Sequence, residues 1–131
     1  MKKYMRLVFF AMFLCVISFP AQEITENISV FSRTVKEMGY DDVSETPYEV
    51  VEFTIPTEFN EVYSRYNELL KTAGYDLSPY KGKTCKRYTY LIPSQNARAN
   101  IIVYDGKIIG GDISGITLDG IMIPIEKNPL K

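Results

Sequence analysis

The longest regular pattern of apolar and polar positions runs from Thr57 to Gly74. Apolar residues recur there at spacings of three and four, which is typical of an α-helix that buries one face. These residues are Phe59, Val62, Tyr63, Tyr66, Leu69, Leu70 and Ala73. The hydroxyl of Thr57 is expected to cap the start of the helix, and Gly74 is expected to end it in a left-handed conformation.

Three further segments show a recognisable period. Residues 22–39 repeat apolar positions at helical spacing from Ile24 to Met38, which predicts a first and narrower amphipathic helix. Residues 47–56 and 83–92 are rich in β-branched and aromatic residues and are bounded by proline, which predicts one strand before the central helix and one after it.

A hairpin gives the clearest local signal. Two β-rich runs, 101–104 and 107–110, flank Asp105 and Gly106. An Asp-Gly pair in this position predicts a type I′ turn, because both residues tolerate a positive φ. Two successive glycines at the end of the second run, at 110 and 111, predict a bulge or a close approach of backbone.

Strands joined by tight turns, with helices outside them, indicate an α+β fold. We expect an antiparallel β-sheet of about four strands with two amphipathic helices packed on one face. The segment from Ile121 to Ile125 is interpreted either as a last short strand or as a packed tail.

The amino terminus has the pattern of an export signal. Lys2, Lys3 and Arg6 precede the apolar run Leu7–Phe19, which is short for a membrane span. We expect residues 1–21 to be a signal peptide and residues 22–131 to form a single α+β domain that is secreted or extracytoplasmic. An uncleaved N-terminal anchor is the alternative, and any membrane tether would then pass through this segment.

The composition of the chain argues against several kinds of function. All 16 acidic residues but only 12 of the 15 basic ones follow Ala21, and this acidic excess argues against a nucleic-acid partner. The chain has no histidine, so it lacks the commonest general base and zinc ligand. We expect no catalytic set, no metal site and no cofactor. Only Cys85 follows the signal segment, and we expect this thiol to be buried and unreactive.

Two groups of side chains are candidates for ligand binding. A basic cluster around the second strand suits an anion, although lysines there also protect a strand from edge pairing. Tyrosines fill cores and rims, but they also line grooves that bind a peptide or a glycan. The candidate residues from the two groups are Lys83, Arg87, Tyr88, Tyr90 and Tyr104.

Several short runs carry a resemblance to a known family. The runs are 58–63, 80–83, 86–90 and 103–107, with the sequences EFNEVY, YKGK, KRYTY and VYDGK. Over roughly residues 31–122 the chain resembles an uncharacterised domain-of-unknown-function family of small exported or membrane-anchored bacterial proteins, mostly Gram-positive. The resemblance implies an exported single domain and transfers no catalytic or binding residue.

The function predicted from the sequence is a non-catalytic, extracytoplasmic binding or protein-interaction module. Its partner would be an unknown protein, peptide or glycan outside the cytoplasm, with no nucleic acid. One alternative is a small secreted hydrolase that uses carboxylates such as Asp112 and Asp119. Another is a structural accessory domain of an envelope assembly.

Overall fold

A computed structural model of the protein describes residues 30–115 and 122–126. Five strands form one antiparallel sheet whose spatial order follows the chain. The strands are β1 (Glu49–Thr54), β2 (Thr84–Ile92), β3 (Ala97–Tyr104), β4 (Lys107–Gly115) and β5 (Met122–Pro124). Helix α1 covers residues 30–37 of the described chain, and α2 covers Glu61–Thr72. Short 3₁₀ turns lie at Ser78–Tyr80 and Pro93–Gln95.

The α+β class, the antiparallel sheet and the two helices are confirmed. The sheet has five strands rather than about four, because the segment interpreted as a strand or a tail pairs with β4, with Ile123 opposite Ile113. Among the described residues, no helical segment combines the length and the hydrophobicity that a membrane span requires. The signal segment predicted at 1–21 lies outside the described residues.

The two helices lie on opposite faces of the sheet, so the prediction that they share one face is wrong. Phe31 of α1 packs in a cluster with Ile101, whereas Leu70 of α2 packs in a second cluster with Ile102. Consecutive residues of a strand point to opposite faces. Because β3 is apolar at consecutive positions, each face needs its own cover. We call the two sides of the sheet the α1 face and the α2 face.

Helix α2 begins later than the sequence pattern predicted. The side chain of Asn60, not of Thr57, caps the helix, and its Oδ1 accepts a hydrogen bond of 2.9 Å from the amide of Tyr63. Val62 is 72% exposed, so the buried stripe is shorter than predicted. The predicted helix end is confirmed, because Gly74 has a φ of 94° just after the helix.

A buried asparagine holds the segment that follows α2. Asn67 accepts a hydrogen bond of 2.7 Å from the amide of Leu77 and donates one of 2.9 Å to Asp76. This donated bond is the main reason why the pKa of Asp76 is lowered to about 2. Leu77 and Tyr75 are buried as a result, so the segment closes one end of the α2 face.

The predicted hairpin is confirmed. Asp105 and Gly106 have φ values of 51° and 74°, as a type I′ turn requires. A bulge follows in β4, where Val103 pairs with Ile108 while Ile102 pairs with Gly110. Ile109, which lies between these two residues of β4, has no pairing partner in β3. Beyond Ile109, each side chain of β4 therefore points to the other face of the sheet than it would without the bulge.

The predicted close approach of backbone is also present. A Cβ added at Gly111 would collide with the carbonyl oxygen of Asn100 and lie 2.8 Å from Cδ1 of Ile125. A Cβ added at Gly110 would lie 2.7 Å from Cδ1 of Leu70, which is the end of a flexible side chain. A side chain is therefore obstructed at both glycines. The obstacle is backbone at Gly111 and the end of a side chain at Gly110.

We expect Gly111→Ala to lower the free energy of unfolding by about 2–3 kcal/mol, because the obstructing backbone oxygen belongs to a paired strand and has no room to move. Gly110→Ala is the matched control and should cost about 1 kcal/mol, since a leucine methyl can rotate away. Urea unfolding of the two variants measures both values. Equal losses would contradict the assignment of the backbone as the limiting contact.

Candidate functional site

A cleft of about 420 Å³ lies on the α2 face, between the sheet and the first turns of α2. Leu70, near the end of the helix, packs tightly over Gly110 and leaves no gap there. Nearer its start, the helix contributes Val62, Tyr63 and Tyr66 to the lining of the cleft. The walls are apolar or aromatic and comprise Phe53, Val62, Tyr63, Tyr66, Ile102 and Met122.

Polar side chains line the remainder of this cleft. They are Arg87 of β2, Asn100 of β3 and Asp112 of β4. The strand register brings them together, because Arg87 lies opposite Ile102 while Asn100 lies opposite Asp112. Three adjacent strands therefore supply one polar group each to the same face.

A chain of hydrogen bonds fixes the carboxylate of Asp112, which is 4% exposed. Its Oδ1 accepts a bond of 2.7 Å from the Tyr66 hydroxyl, and its Oδ2 accepts one of 3.1 Å from Nδ2 of Asn100. Asn100 in turn accepts a bond of 2.8 Å from the hydroxyl of Thr89. The first of these bonds ties α2 to the sheet. No buried side-chain polar atom of the described residues lacks a partner.

Burial and hydrogen bonding act in opposite directions on Asp112. Burial raises the pKa of Asp112 above its ordinary value of 3.8, and the bonds from Tyr66 and Asn100 offset part of that rise. The positive charge of Arg87 also favours the ionised form. The pKa of Tyr66 is raised by burial and by the nearby carboxylate, so its hydroxyl keeps its proton and acts as a donor.

Arg87 is the cation of the cleft. Its side chain is exposed, and the ion pairs among the described residues join other groups, at Lys36–Glu45, Arg65–Glu61 and Lys71–Glu68. Its charge reaches Asp112 and Tyr66 through space, but no ion pair or hydrogen bond within the described residues occupies the guanidinium.

The structure separates the candidates that the sequence singled out. Arg87 lines the cleft, whereas Lys83 is exposed ahead of β2. Tyr88 and Tyr90 are buried on the α1 face, where the ring centroid of Tyr88 lies 5.1 Å from that of Phe31. Tyr104 packs with the cluster on the α2 face, against the ring of Tyr80, and does not line the cleft.

The sequence also led to expectations about the thiol of Cys85, about metal binding and about the carboxylate of Asp119. Cys85 is buried as predicted, and burial raises the pKa of its thiol, which disfavours the reactive thiolate. No group of three acidic or cysteine side chains within 30–115 and 122–126 is placed to hold a metal ion. Asp119 lies outside the described residues.

Sequence reasoning did not single out Thr89, Asn100 or Phe53 as parts of a site. A polar residue beside a run of apolar strand residues was the available signal for Asn100, because such a residue needs a buried partner. The partner could not be read from the chain, since the bulge in β4 changes the pairing.

We expect Asp112→Ala to lower the free energy of unfolding by about 1–3 kcal/mol, because it leaves the Tyr66 hydroxyl and the Asn100 amide without an acceptor. Asp112→Asn is the control. Its carbonyl can still accept from Tyr66, and its amide can donate to Asn100 once that side chain turns over, so its loss should be smaller. Chemical unfolding measures both. Equal losses would contradict a structural role for these bonds.

The raised pKa of Asp112 gives a dependence of stability on pH. A carboxyl group whose pKa is higher in the folded state stabilises the fold below its unfolded value of 3.8, and that contribution is lost as the pH rises through the folded pKa. Asp112→Asn has no such group. The stability of this variant relative to wild type should therefore improve as the pH rises from below 3.8 towards neutrality. A constant difference across this range would contradict the raised pKa.

Comparison with known proteins identifies the family. No curated protein and no solved structure matches the chain. A family model described as a domain of unknown function, DUF4830, matches residues 35–113, which include α2, the first four strands up to Ile113, and most of the cleft lining. The resemblance to an uncharacterised family is thus confirmed, and the chain belongs to the DUF4830 family.

Proposed function

We propose that the protein is a non-catalytic binding module that acts outside the cytoplasm, and that the cleft under α2 is its ligand site. One observation carries the proposal, namely an open cleft of about 420 Å³ with aromatic walls and a few convergent polar groups. Ligand sites have this size and composition, with apolar walls for affinity and placed polar groups for orientation.

The walls of the cleft are held in place by neighbours outside it. The ring of Tyr63 stacks on Phe59 at 5.7 Å, and Phe59 is covered by the ammonium group of Lys81 at 4.4 Å. Tyr66 is fixed by its bond to Asp112. A site whose walls are already ordered binds with a smaller loss of conformational entropy, which supports a recognition role.

The bonding of Asp112 favours binding over catalysis. Both oxygens of its carboxylate accept hydrogen bonds from protein side chains, so the group is engaged in structure. A glycosidase-type mechanism needs a second carboxylate facing the first. Among the described residues that line the cleft, Asp112 is the one carboxylate.

The location outside the cytoplasm is supported by the sequence alone. Basic residues precede an apolar run at the amino terminus, as in export signals. A protein, peptide or glycan of the cell exterior is the partner that this location would supply, and the acidic balance of the chain disfavours nucleic acid.

The proposal is tested by a fragment screen on the purified protein, with aromatic ring signals followed by NMR. We expect bound compounds to shift the ring signals of Phe53, Tyr63 and Tyr66 together. Tyr63→Ala should weaken binding at least about fivefold, since it removes one wall at a cost typical of aromatic contacts. Tyr48→Ala is the control, because Tyr48 is exposed outside the cleft. Binding that maps elsewhere, or that is unchanged in Tyr63→Ala, would contradict the proposal.

A small hydrolase is the second candidate. The observation that favours it is a buried carboxyl group with a raised pKa inside a cleft, which is the arrangement of a general acid. The same screen decides between the two functions. Conversion of a bound compound to products by the wild type, but not by Asp112→Asn, would establish the hydrolase and overturn the non-catalytic role.

A further inference from the structure

We propose that the cleft selects ligands in which a single carboxylate is attached to an apolar or aromatic body, and that Arg87 binds the carboxylate. This inference rests on the proposed function and names the ligand class of the same site. It follows from the position of one cation among apolar walls. It also follows from two absences among the described residues: no acidic side chain forms an ion pair with this cation, and no second cation lines the cleft.

Arg87 supplies the charge complementarity. It belongs to β2 and lies opposite Ile102 of β3, so its side chain starts on the apolar part of the sheet surface under α2. No acidic side chain of residues 30–115 or 122–126 forms an ion pair with it. A guanidinium presents two parallel N–H groups that match the two oxygens of a carboxylate, and such a bond is stronger than one between neutral groups.

Asp112, the carboxylate of the cleft, does not form an ion pair with Arg87. Its two oxygens are directed to the Tyr66 hydroxyl and to the Asn100 amide rather than to Arg87. The carboxylate is also almost completely buried, so it offers little surface to a cationic ligand. The accessible charge of the cleft is therefore positive, and an anion is the complementary ligand.

The same carboxylate limits the charge of the ligand. No other cationic side chain lines the cleft within the described residues, and Asp112 would repel a dianion. A phosphate or sulfate site usually collects several donors or cations. One guanidinium beside a carboxylate suits a monoanion, for which a carboxylate is the common chemical form.

The walls define the rest of the ligand. Phe53 and Ile102 from the sheet, and Tyr63 and Tyr66 from α2, enclose the space beside Arg87 with rings and aliphatic carbon. Such walls favour an apolar or aromatic body over a sugar acid, whose hydroxyl groups would need partners. A small free acid and the C-terminal residue of a peptide both present this chemistry.

The test measures binding to the purified full chain by calorimetry, in two pairs of probes. One pair is 3-phenylpropionate and its amide. The other is acetyl-alanyl-phenylalanine as its carboxylate and as its amide. We expect the carboxylate to bind at least about tenfold more tightly than the amide in one pair, because a charge-assisted bond replaces a neutral one. The pair that shows the difference identifies the source as a small acid or a peptide end.

Variants then assign the preference to Arg87. Arg87→Gln should remove the difference between carboxylate and amide, and Arg87→Lys should retain part of it because a lysine still carries the charge. Arg33→Gln removes the same charge from the exposed surface of α1, on the other side of the sheet, and should leave the difference unchanged. Because Arg87 is exposed, we expect its replacement to leave the folded state intact, and unfolding curves of each variant check this.

The outcomes separate this inference from the proposed function. If amides bind as well as carboxylates and shift the Tyr63 and Tyr66 signals, the cleft is a binding site and the carboxylate selectivity is wrong. A preference for carboxylates that survives in Arg87→Gln also overturns the inference. If no probe binds, the inference fails, while the wider fragment screen still decides whether the cleft binds ligands of another class.

Discussion

Burial of both faces of β3 is the constraint on which the rest of the structure depends. Ile101 belongs to the apolar cluster under α1, and Ile102 belongs to the one under α2, so both faces of the strand carry apolar side chains that need cover. The two helices must therefore lie on opposite sides of the sheet. The cleft lies on the second of these sides, between the sheet and the first turns of α2. The candidate site is therefore built from one of the two helices and the sheet face that this helix covers.

The polar end of the cleft depends on a single unpaired residue. Without Ile109 as the extra residue in β4, pairing outward from the Asp105–Gly106 turn would place Asp112 opposite Ala99, on the α1 face. The bulge moves it opposite Asn100, where Tyr66 can reach it. One residue of register therefore decides whether a carboxylate faces the apolar core or the cleft.

The elements that the sequence predicted well are those with local signals. The turn at Asp105–Gly106, the stripe of α2 and the proline-bounded strands depend on neighbours in the chain. The layer arrangement was missed although Ile101 and Ile102 are successive apolar positions, a pattern that indicates burial on two sides. Of the candidate binding residues, Arg87 lies in the cleft, while Tyr88 lies one position away and therefore on the other face. Because side chains alternate along a strand, the sequence already places Arg87 and Tyr88 on opposite faces of the sheet. Which of the two faces carries the cleft depends on the position of α2, and this was not predicted.

The two adjacent glycines of β4 differ in how readily they can be replaced during evolution. Gly110 is constrained by a side chain, so a larger residue there becomes acceptable once Leu70 shortens, and the two positions can change together over time. Gly111 is constrained by the carbonyl of Asn100, which every residue type carries. No exchange elsewhere in the chain relieves that contact while the pairing is kept. Related sequences are then expected to vary in concert at the first glycine and to retain the second for as long as they keep this sheet.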